Sequence, residues 1–313
     1  MAESKIPVAA VVGPTASGKT SLAVEICKAT GGEAVSCDSM QIYKGMNIAT
    51  AKPTAEEMCG ITHHLVGFLS PDEPFSVADY IKAASDAIYD ITSRGKKAVL
   101  VGGTGLYYSS LVDNITFLPE KSDIEYREKL KLKAEREGAS VLLERLAEID
   151  PEAASKLHEN NLGRIIRALE IYHTTGKTLT FQNSESKKEP SPFEFTTVCL
   201  DSRDRQVLYD RINRRVDLML EAGLLDEARS FFECPLGRTA KQAIGYKELY
   251  PYFSGEKSLE ECVENLKMQT RRYAKRQLTW FRRDDRIKFL YIDDYTDSGD
   301  LLNAALEILC REA

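Results

Sequence analysis

Three short stretches of the chain are apolar almost without interruption: Val8–Val12, Glu33–Cys37 and Ala98–Val101, with Val198–Leu200 a weaker fourth. Such runs, lacking the alternation of a half-solvated sheet, predict strands buried on both faces. Elsewhere the period changes to that of a helix. Ile165, Ile166, Leu169 and Tyr172 share one face, and Leu208, Ile212 and Met219 recur on another stripe. The last long helix opens on a capping box, Ser258 with Glu261. Its stripe runs Leu259, Cys262/Val263, Leu266, Thr270, Tyr273, Gln277/Leu278, Phe281. Helical pattern fills about 122–180 and 204–283, and the polar, proline-bearing stretch Asn183–Pro192 reads as a linker.

Composition narrows the class. The chain has 313 residues, 43% hydrophobic and 29% charged, enough for one large domain or two modest ones. No apolar run approaches the roughly 20 residues of a membrane span, and the N-terminus does not read as a secretory signal. The seven cysteines, at 27, 37, 59, 199, 234, 262 and 310, form no C-x-x-C pair. That pattern predicts reduced thiols in the cytoplasm, without disulfides or a structural zinc. The net charge of −6 conceals an asymmetry: residues 201–290 carry +4 and the remainder −10. A basic segment on an acidic protein suggests a face for a polyanion, although solvated helix arginines would leave the same excess.

The first strand runs into Gly13-Pro14-Thr15-Ala16-Ser17-Gly18-Lys19-Thr20, with helical pattern beyond. This is G-x-x-x-x-G-K-[ST], by motif an ATP-type phosphate loop. Backbone N–H groups converge on an anion, Lys19 adds a point charge, and the Thr20 hydroxyl can ligate Mg²⁺. A phosphate-loop ATPase usually places a Mg²⁺-holding acid after a buried strand. Here Ala98–Val101 ends in Gly102-Gly103-Thr104-Gly105. The available acid is Asp38, after the second strand, so the loop is expected to grip a diphosphate without moving a phosphoryl group. Asp38 itself is open to three readings: general base, Mg²⁺ ligand or helix cap. Thr104 lies at the same sheet edge, either as a reacting-site hydroxyl or near a helix cap. The expected fold is α/β: a parallel sheet core of the P-loop NTPase type at 1–120, a helical insertion at 121–192, and a return to the core with basic helices at 193–313.

Several charges need partners. Arg215 interrupts the stripe between Ile212 and Met219, and its partner is either a carboxylate or the anion in the loop. Arg164 and Arg167 share a helix face and can grip neighbouring phosphates. Residues 267–288 hold nine Lys/Arg against two Asp, in rows Lys267, Arg271, Lys275 and Arg272, Arg276, Arg283. With Trp280 and Phe281 close by, this run suits phosphates and unstacked bases. His63-His64 reads as structural rather than metal-binding.

The segments GPTASGKT, SCDSMQIYKGMNIATAKP, HHL, VGGTGLYY, RIIRALEIY, RINRRVDLMLEAGL, QAIGYKELY and TRRYAKRQLTWFRR occur in this order. Together they resemble the tRNA dimethylallyltransferases, also called tRNA isopentenyltransferases, from Val8 to about Arg283. The resemblance implies transfer of a dimethylallyl group from dimethylallyl diphosphate to N6 of the adenosine 3′-adjacent to the anticodon of tRNA, with Mg²⁺, by a cytoplasmic monomer. It implies that Gly13–Thr20, Lys19 and Arg215 hold the donor diphosphate. Asp38 matches the acid that accepts the N6 proton, and Thr104 a threonine at the reacting centre. It further implies tRNA contacts from Asp38, Ser39, Met40, Gln41, Thr104, Arg127, Gly163, Arg164, Arg167, Lys241, Gln242, Gly245, Tyr246, Lys275, Arg276, Gln277, Trp280 and Arg282. Gly163 departs from the family, many members of which carry Gln there. The lack of a zinc finger after the basic helix suggests the bacterial type. An adenylate isopentenyltransferase would share the loop and the donor but needs neither the helical insertion nor the basic run. A small-molecule kinase is disfavoured by the missing acid after Val101.

Overall fold

The computed structural model describes residues 4–117, 123–186, 188–234, 236–237 and 239–311. Six strands form in chain order: β1 Ile6–Val12, β2 Glu33–Cys37, β3 His63–His64, β4 Ala98–Gly102, β5 Phe193–Asp201 and β6 Ile287–Tyr291. The helices are α1 Lys19–Thr30, α2 Ala55–Met58, α3 Val77–Ser93, α4 Gly105–Val112, α5 Ile124–Glu137, α6 Ala139–Ile149, α7 Pro151–Ser155, α8 Leu162–Thr175, α9 Leu179–Glu185, α10 Arg205–Glu221, α11 Leu224–Phe232, α12 Tyr250–Phe253, α13 Leu259–Phe281 and α14 Ser298–Arg311. They group into two compact units, 1–112 with 191–313, and 113–190. The expected break at 120/121 and the expected helix start at Ser122 lie outside the described residues, as does Lys187 of the expected linker. That linker is not all loop: α9 runs to Glu185.

The larger unit is built on one sheet of order β3-β2-β4-β1-β5-β6, every pair parallel. The apolar runs made this legible, because strands covered on both faces need no alternation. One face packs on Tyr80, Ala84, Ile88 and Ile91 of α3 and on Tyr107, Tyr108 and Leu111 of α4. The other packs on Leu22, Ala23, Ile26 and Cys27 of α1 and on Ala305 and Leu309 of α14. The edge strand β3 escaped the sequence reading because neither of its residues is apolar.

The register positions the chemistry. Val12 pairs with Gly102, and Gly102 with Cys37, so the three central strands end level. The residues that follow, Gly13, Asp38 and Gly103, therefore leave the sheet side by side at its C-terminal edge, where parallel sheets gather ligands. Close backbone approach holds the edge together. A Cβ on Gly102 would lie 2.1 Å from the Cys37 carbonyl oxygen, so only glycine fits there.

The smaller unit has its own core, with Leu130, Leu142, Leu146, Ile165, Ile166 and Leu169 buried. Tyr172, expected on that apolar face, is 41% exposed instead. At its centre Glu170 is fully buried. Arg127 holds it through two bonds of 2.6 Å, and Arg167 adds a third at 2.8 Å. Burial alone would raise the Glu170 carboxyl, but the arginine hydrogen bonds overcome it and hold it at about 2. Arg127 thus has a structural partner in addition to the tRNA contact that the resemblance implies. Arg127→Ala should destabilise this unit by about 3 kcal/mol, since a buried charge loses its bidentate partner. Thermal unfolding of the full chain checks this, and an unchanged transition would show that Arg167 alone suffices.

Candidate active site

The site begins with the loop between β1 and α1. Gly18 caps α1 at φ 92°, and Ala16 also adopts a left-handed backbone at φ 64°. These turns direct successive N–H groups toward the helix axis, the geometry that binds an anion. Gly13 is tightly confined: a Cβ there would lie 2.7 Å from the Leu200 carbonyl oxygen of β5. Lys19 Nζ rests on the Pro14 carbonyl oxygen at 3.1 Å. Burial, reinforced by Arg215, lowers the Lys19 ammonium to about 8, with Asp38 opposing the shift. An anion in the loop would reverse this, so binding should take up a proton. Pyrophosphate affinity is accordingly expected to weaken as pH rises through about 8, where free Lys19 loses its charge. Calorimetric titration across that range checks it, and Lys19→Met should abolish the step.

Arg215 resolves the puzzle of a charge on an apolar stripe. It lines the same cavity as Lys19 and Asp38 and makes no ion pair among the described residues. Burial lowers its basicity, and Glu57 and Asp38 act on it only through space. An unneutralised arginine facing Lys19 is a place prepared for a polyanion.

At the second strand end, Asp38 uses one oxygen locally. Its Oδ1 accepts from the N–H groups of Met40 at 2.9 Å and Gln41 at 3.3 Å. The helix-cap expectation is corrected: that oxygen caps a turn, because no helix directly follows β2, and Oδ2 remains available for a reacting group. The Ser39 N–H donates to Thr104 Oγ1 at 3.0 Å, and the Thr104 N–H donates to the Cys37 carbonyl at 3.1 Å. These bonds lace the β2 and β4 turns into one surface.

The helix α13 crosses this surface. Gln277 Oε1 accepts from the Thr15 N–H at 2.9 Å, and its Nε2 donates to the Gly103 carbonyl at 2.9 Å. Both ends of the amide are thus engaged inside the protein. Trp280 packs so closely on Gly105 that a Cβ there would lie 2.4 Å from the indole. Phe281, grouped with Trp280 in the sequence reading as a base-stacking candidate, is instead a core residue, 1% exposed and edge-on to Tyr108. Of the basic rows, Lys267 pairs with Asp217 at 2.8 Å and Arg271 bonds Asn213, so both tie α13 to α10. Arg282 pairs with Asp201 at 2.7 Å. Arg272, Lys275, Arg276 and Arg283 are exposed.

Together these elements enclose a cavity of about 890 Å³. Thr15, Ala16, Gly18–Thr20, Asp38–Gln41, residues 47–54, Arg211, Arg214, Arg215, Tyr273 and Arg276 contribute to its walls. That volume exceeds what a diphosphate fills and leaves room for two reacting groups. The 47–54 wall hangs from Glu227, whose carboxylate accepts from the N–H groups of Asn47, Ile48 and Ala49 and from the Tyr246 hydroxyl. Gln41 Nε2 donates to the Thr50 and Ala51 carbonyls of the same wall. Gly245 and Tyr246 are buried behind it, whereas Lys241 and Gln242 are exposed. Gly163 and Arg164 are exposed on the smaller unit. Sequence reasoning missed Glu227, and it read Tyr273 only as part of the apolar stripe. The Tyr273 phenol is pushed up by burial and by Asp38 and interacts with the Thr104 hydroxyl.

Mg²⁺ fits the residues present. Thr20 and Asp38 offer one hydroxyl and one carboxylate, and no group of three or more His, Cys, Asp or Glu could form a cage among the described residues. Mg²⁺ commonly takes such a site, keeping waters and substrate phosphate oxygens for most of its shell.

A parallel sheet with a phosphate loop, and with an acid and a threonine at the neighbouring strand ends, defines a phosphate-loop α/β protein. The family described as IPP transferase matches residues 41–284, and that described as isopentenyl transferase matches residues 6–67. A tRNA dimethylallyltransferase of Bacillus subtilis is 49% identical over 284 residues, covering 90% of each chain. One of a Thermoanaerobacter species is 46% identical over 307 residues, 97% of this chain and 98% of the relative. The crystal structure of a tRNA isopentenylpyrophosphate transferase from Bacillus halodurans superposes with a TM-score of 0.72 at 42% identity, covering 99% of this chain and 98% of that one. A eukaryotic dimethylallyltransferase described as acting on tRNA gives 0.78 at 30% identity, covering 96% and 77%. The chain belongs to the tRNA dimethylallyltransferase family and is a prenyltransferase. No helix among the described residues is long and apolar enough to cross a membrane.

Proposed function

We propose that this protein transfers the dimethylallyl group of dimethylallyl diphosphate to N6 of the adenosine 3′-adjacent to the anticodon in tRNA. The observation that carries the reading is the level ending of β1, β2 and β4, which gathers the phosphate loop, Asp38 and Thr104 around one cavity facing Arg215. The loop N–H groups, Lys19 and Arg215 receive the diphosphate. As the allylic C–O bond breaks, charge grows on the leaving diphosphate, and preplaced donors stabilise it. Mg²⁺, when bound, would neutralise part of that charge. The adenine N6 is a weak nucleophile, its lone pair delocalised into the ring. Asp38 Oδ2 can accept a hydrogen bond from N6–H, aim the nitrogen and take the proton as the C–N bond forms.

The target base must leave its stack to reach Asp38, at a cost of a few kcal/mol. Exposed Arg272, Lys275 and Arg276 can offset this through contacts to the loop backbone. Arg164 and Arg167 on the smaller unit are assigned further phosphate contacts by the resemblance alone. The protein is proposed to act as a cytoplasmic monomer, and its seven free thiols suit a reducing compartment.

A transfer assay tests the reading. Protein, Mg²⁺ and labelled dimethylallyl diphosphate are offered unmodified tRNA in one tube and AMP, ADP or ATP in others. Label only in tRNA, at the base beside the anticodon, is expected. Label in the free nucleotides would move the protein to the adenylate-modifying branch.

A further inference from the structure

Three polar atoms in or near the phosphate loop are buried without a hydrogen-bond partner among the described residues: Ser17 Oγ in the loop itself, Ser36 Oγ, on a residue 3% exposed, and His63 Nε2. The last two belong together. A buried polar atom left bare costs about 1–3 kcal/mol, so a pair of them calls for an occupant. Both residues line a separate small cavity of about 20 Å³, with Lys19, Thr20, Asp38 and Gln41 on its other walls. The sheet explains the meeting. His63 pairs with Ala34, and Ser36 lies two residues further along β2, so the two stand on the sheet face that α1 covers. That volume holds about one water.

The chemistry of the walls is mixed: Lys19 and the Thr20 hydroxyl can donate, whereas His63 and Ser36 can accept. His63 Nδ1 lies 3.0 Å from the Ile61 carbonyl, which can only accept. Nδ1 must therefore carry a proton toward it, and the neutral ring presents Nε2 to the cavity as a bare acceptor. Ser36 Oγ can accept as well. The neighbouring histidine behaves differently: His64 Nε2 is held at 2.7 Å by Glu33, itself tied to Arg94 and Lys96. The cavity thus offers acceptors beside Thr20 and Asp38. Waters bound to a divalent cation are strong donors, and Mg²⁺ sheds them reluctantly.

We propose that Ser36 and His63 form the outer half of a hydrated Mg²⁺ site, accepting hydrogen bonds from waters of an ion that Thr20 and the donor diphosphate hold. They are positioning residues, acting on the ion through its water. The assignment rests on the diphosphate reading of the loop, and it accounts for the Ser36 and His63 atoms with one ligand. It also separates two adjacent histidines, giving His64 to the fold and His63 to the metal.

Pyrophosphate binding measured calorimetrically, with Mg²⁺ and again with EDTA, tests it without turnover. In the unaltered protein Mg²⁺ should tighten pyrophosphate binding. In Ser36→Ala and His63→Leu that enhancement should fall by about tenfold or more, the usual cost of losing an outer-shell partner, while affinity in EDTA stays the same. His63→Gln, which restores an acceptor, should recover most of it. Ser36→Ala removes a hydroxyl that bonds nothing among the described residues, so it decides the matter even if His63→Leu fails to fold. An enhancement unchanged in Ser36→Ala, or pyrophosphate binding indifferent to Mg²⁺, would overturn the inference and leave the diphosphate reading standing. No pyrophosphate binding under either condition would overturn both.

Discussion

Asp38→Ala should reduce prenyl transfer to tRNA by about a hundred- to ten-thousandfold. The expectation follows from the division of labour between its oxygens. Oδ1 orders the turn at Met40 and Gln41, and only Oδ2 is free to take a proton. Asp38→Asn separates the two roles, because its amide oxygen can keep the turn while the group can no longer act as a base. Asn should therefore cost nearly as much in turnover as Ala and leave tRNA affinity close to that of the unaltered protein. Single-turnover rates with saturating tRNA, beside a separate binding titration, distinguish these effects. A fully active Asn variant would show that Asp38 serves the turn alone, and the proton acceptor would have to be sought elsewhere on the cavity wall.

The second large effect is expected at Arg215. It has no carboxylate partner among the described residues, and it faces a buried lysine whose basicity it depresses. Removing it should therefore stabilise the empty protein slightly or leave it unchanged, since one member of a repelling pair is gone. Transfer should fall by about a hundred- to a thousandfold, as expected for the loss of one donor to developing charge. An ordinary structural arginine gives the opposite signature, loss of stability with little loss of rate. Arg215→Lys should recover only part of the activity, because an ammonium lacks the planar fork that grips two phosphate oxygens. Thermal unfolding and single-turnover kinetics on the same preparations decide between the two cases.

The sequence reveals different parts of this site to different degrees. The phosphate loop is fully legible, since its eight residues act together locally between a strand and a helix. Asp38 and Thr104 are legible as strand-end residues, although only the register shows that their strands finish level. Gln277 is a harder case. It bonds a backbone amide 262 residues away, and on the helix stripe it looks like any polar residue at the margin of a core. Phe281 misleads for the related reason that a basic run with aromatics does not reveal which rings face inward. Glu227 leaves no local mark, because the three amides it holds belong to a loop with no regular pattern of its own. Tertiary geometry, and not propensity, decides such residues.

The place of β5 in the sheet has a consequence for how the chain reaches its native state. The strand β1, which ends in the phosphate loop, pairs on one side with β5 from Ile6↔Phe193 to Val12↔Cys199. During synthesis that side of β1 stays open until the entire excursion through 113–190 has left the ribosome. The excursion is helical and makes its core from contacts within itself. Short-range helical contacts form quickly, whereas long-range parallel pairing is slow. The smaller unit should therefore be ordered while the catalytic sheet is still incomplete, and the anion-binding loop should be among the last parts of the enzyme to acquire its working shape.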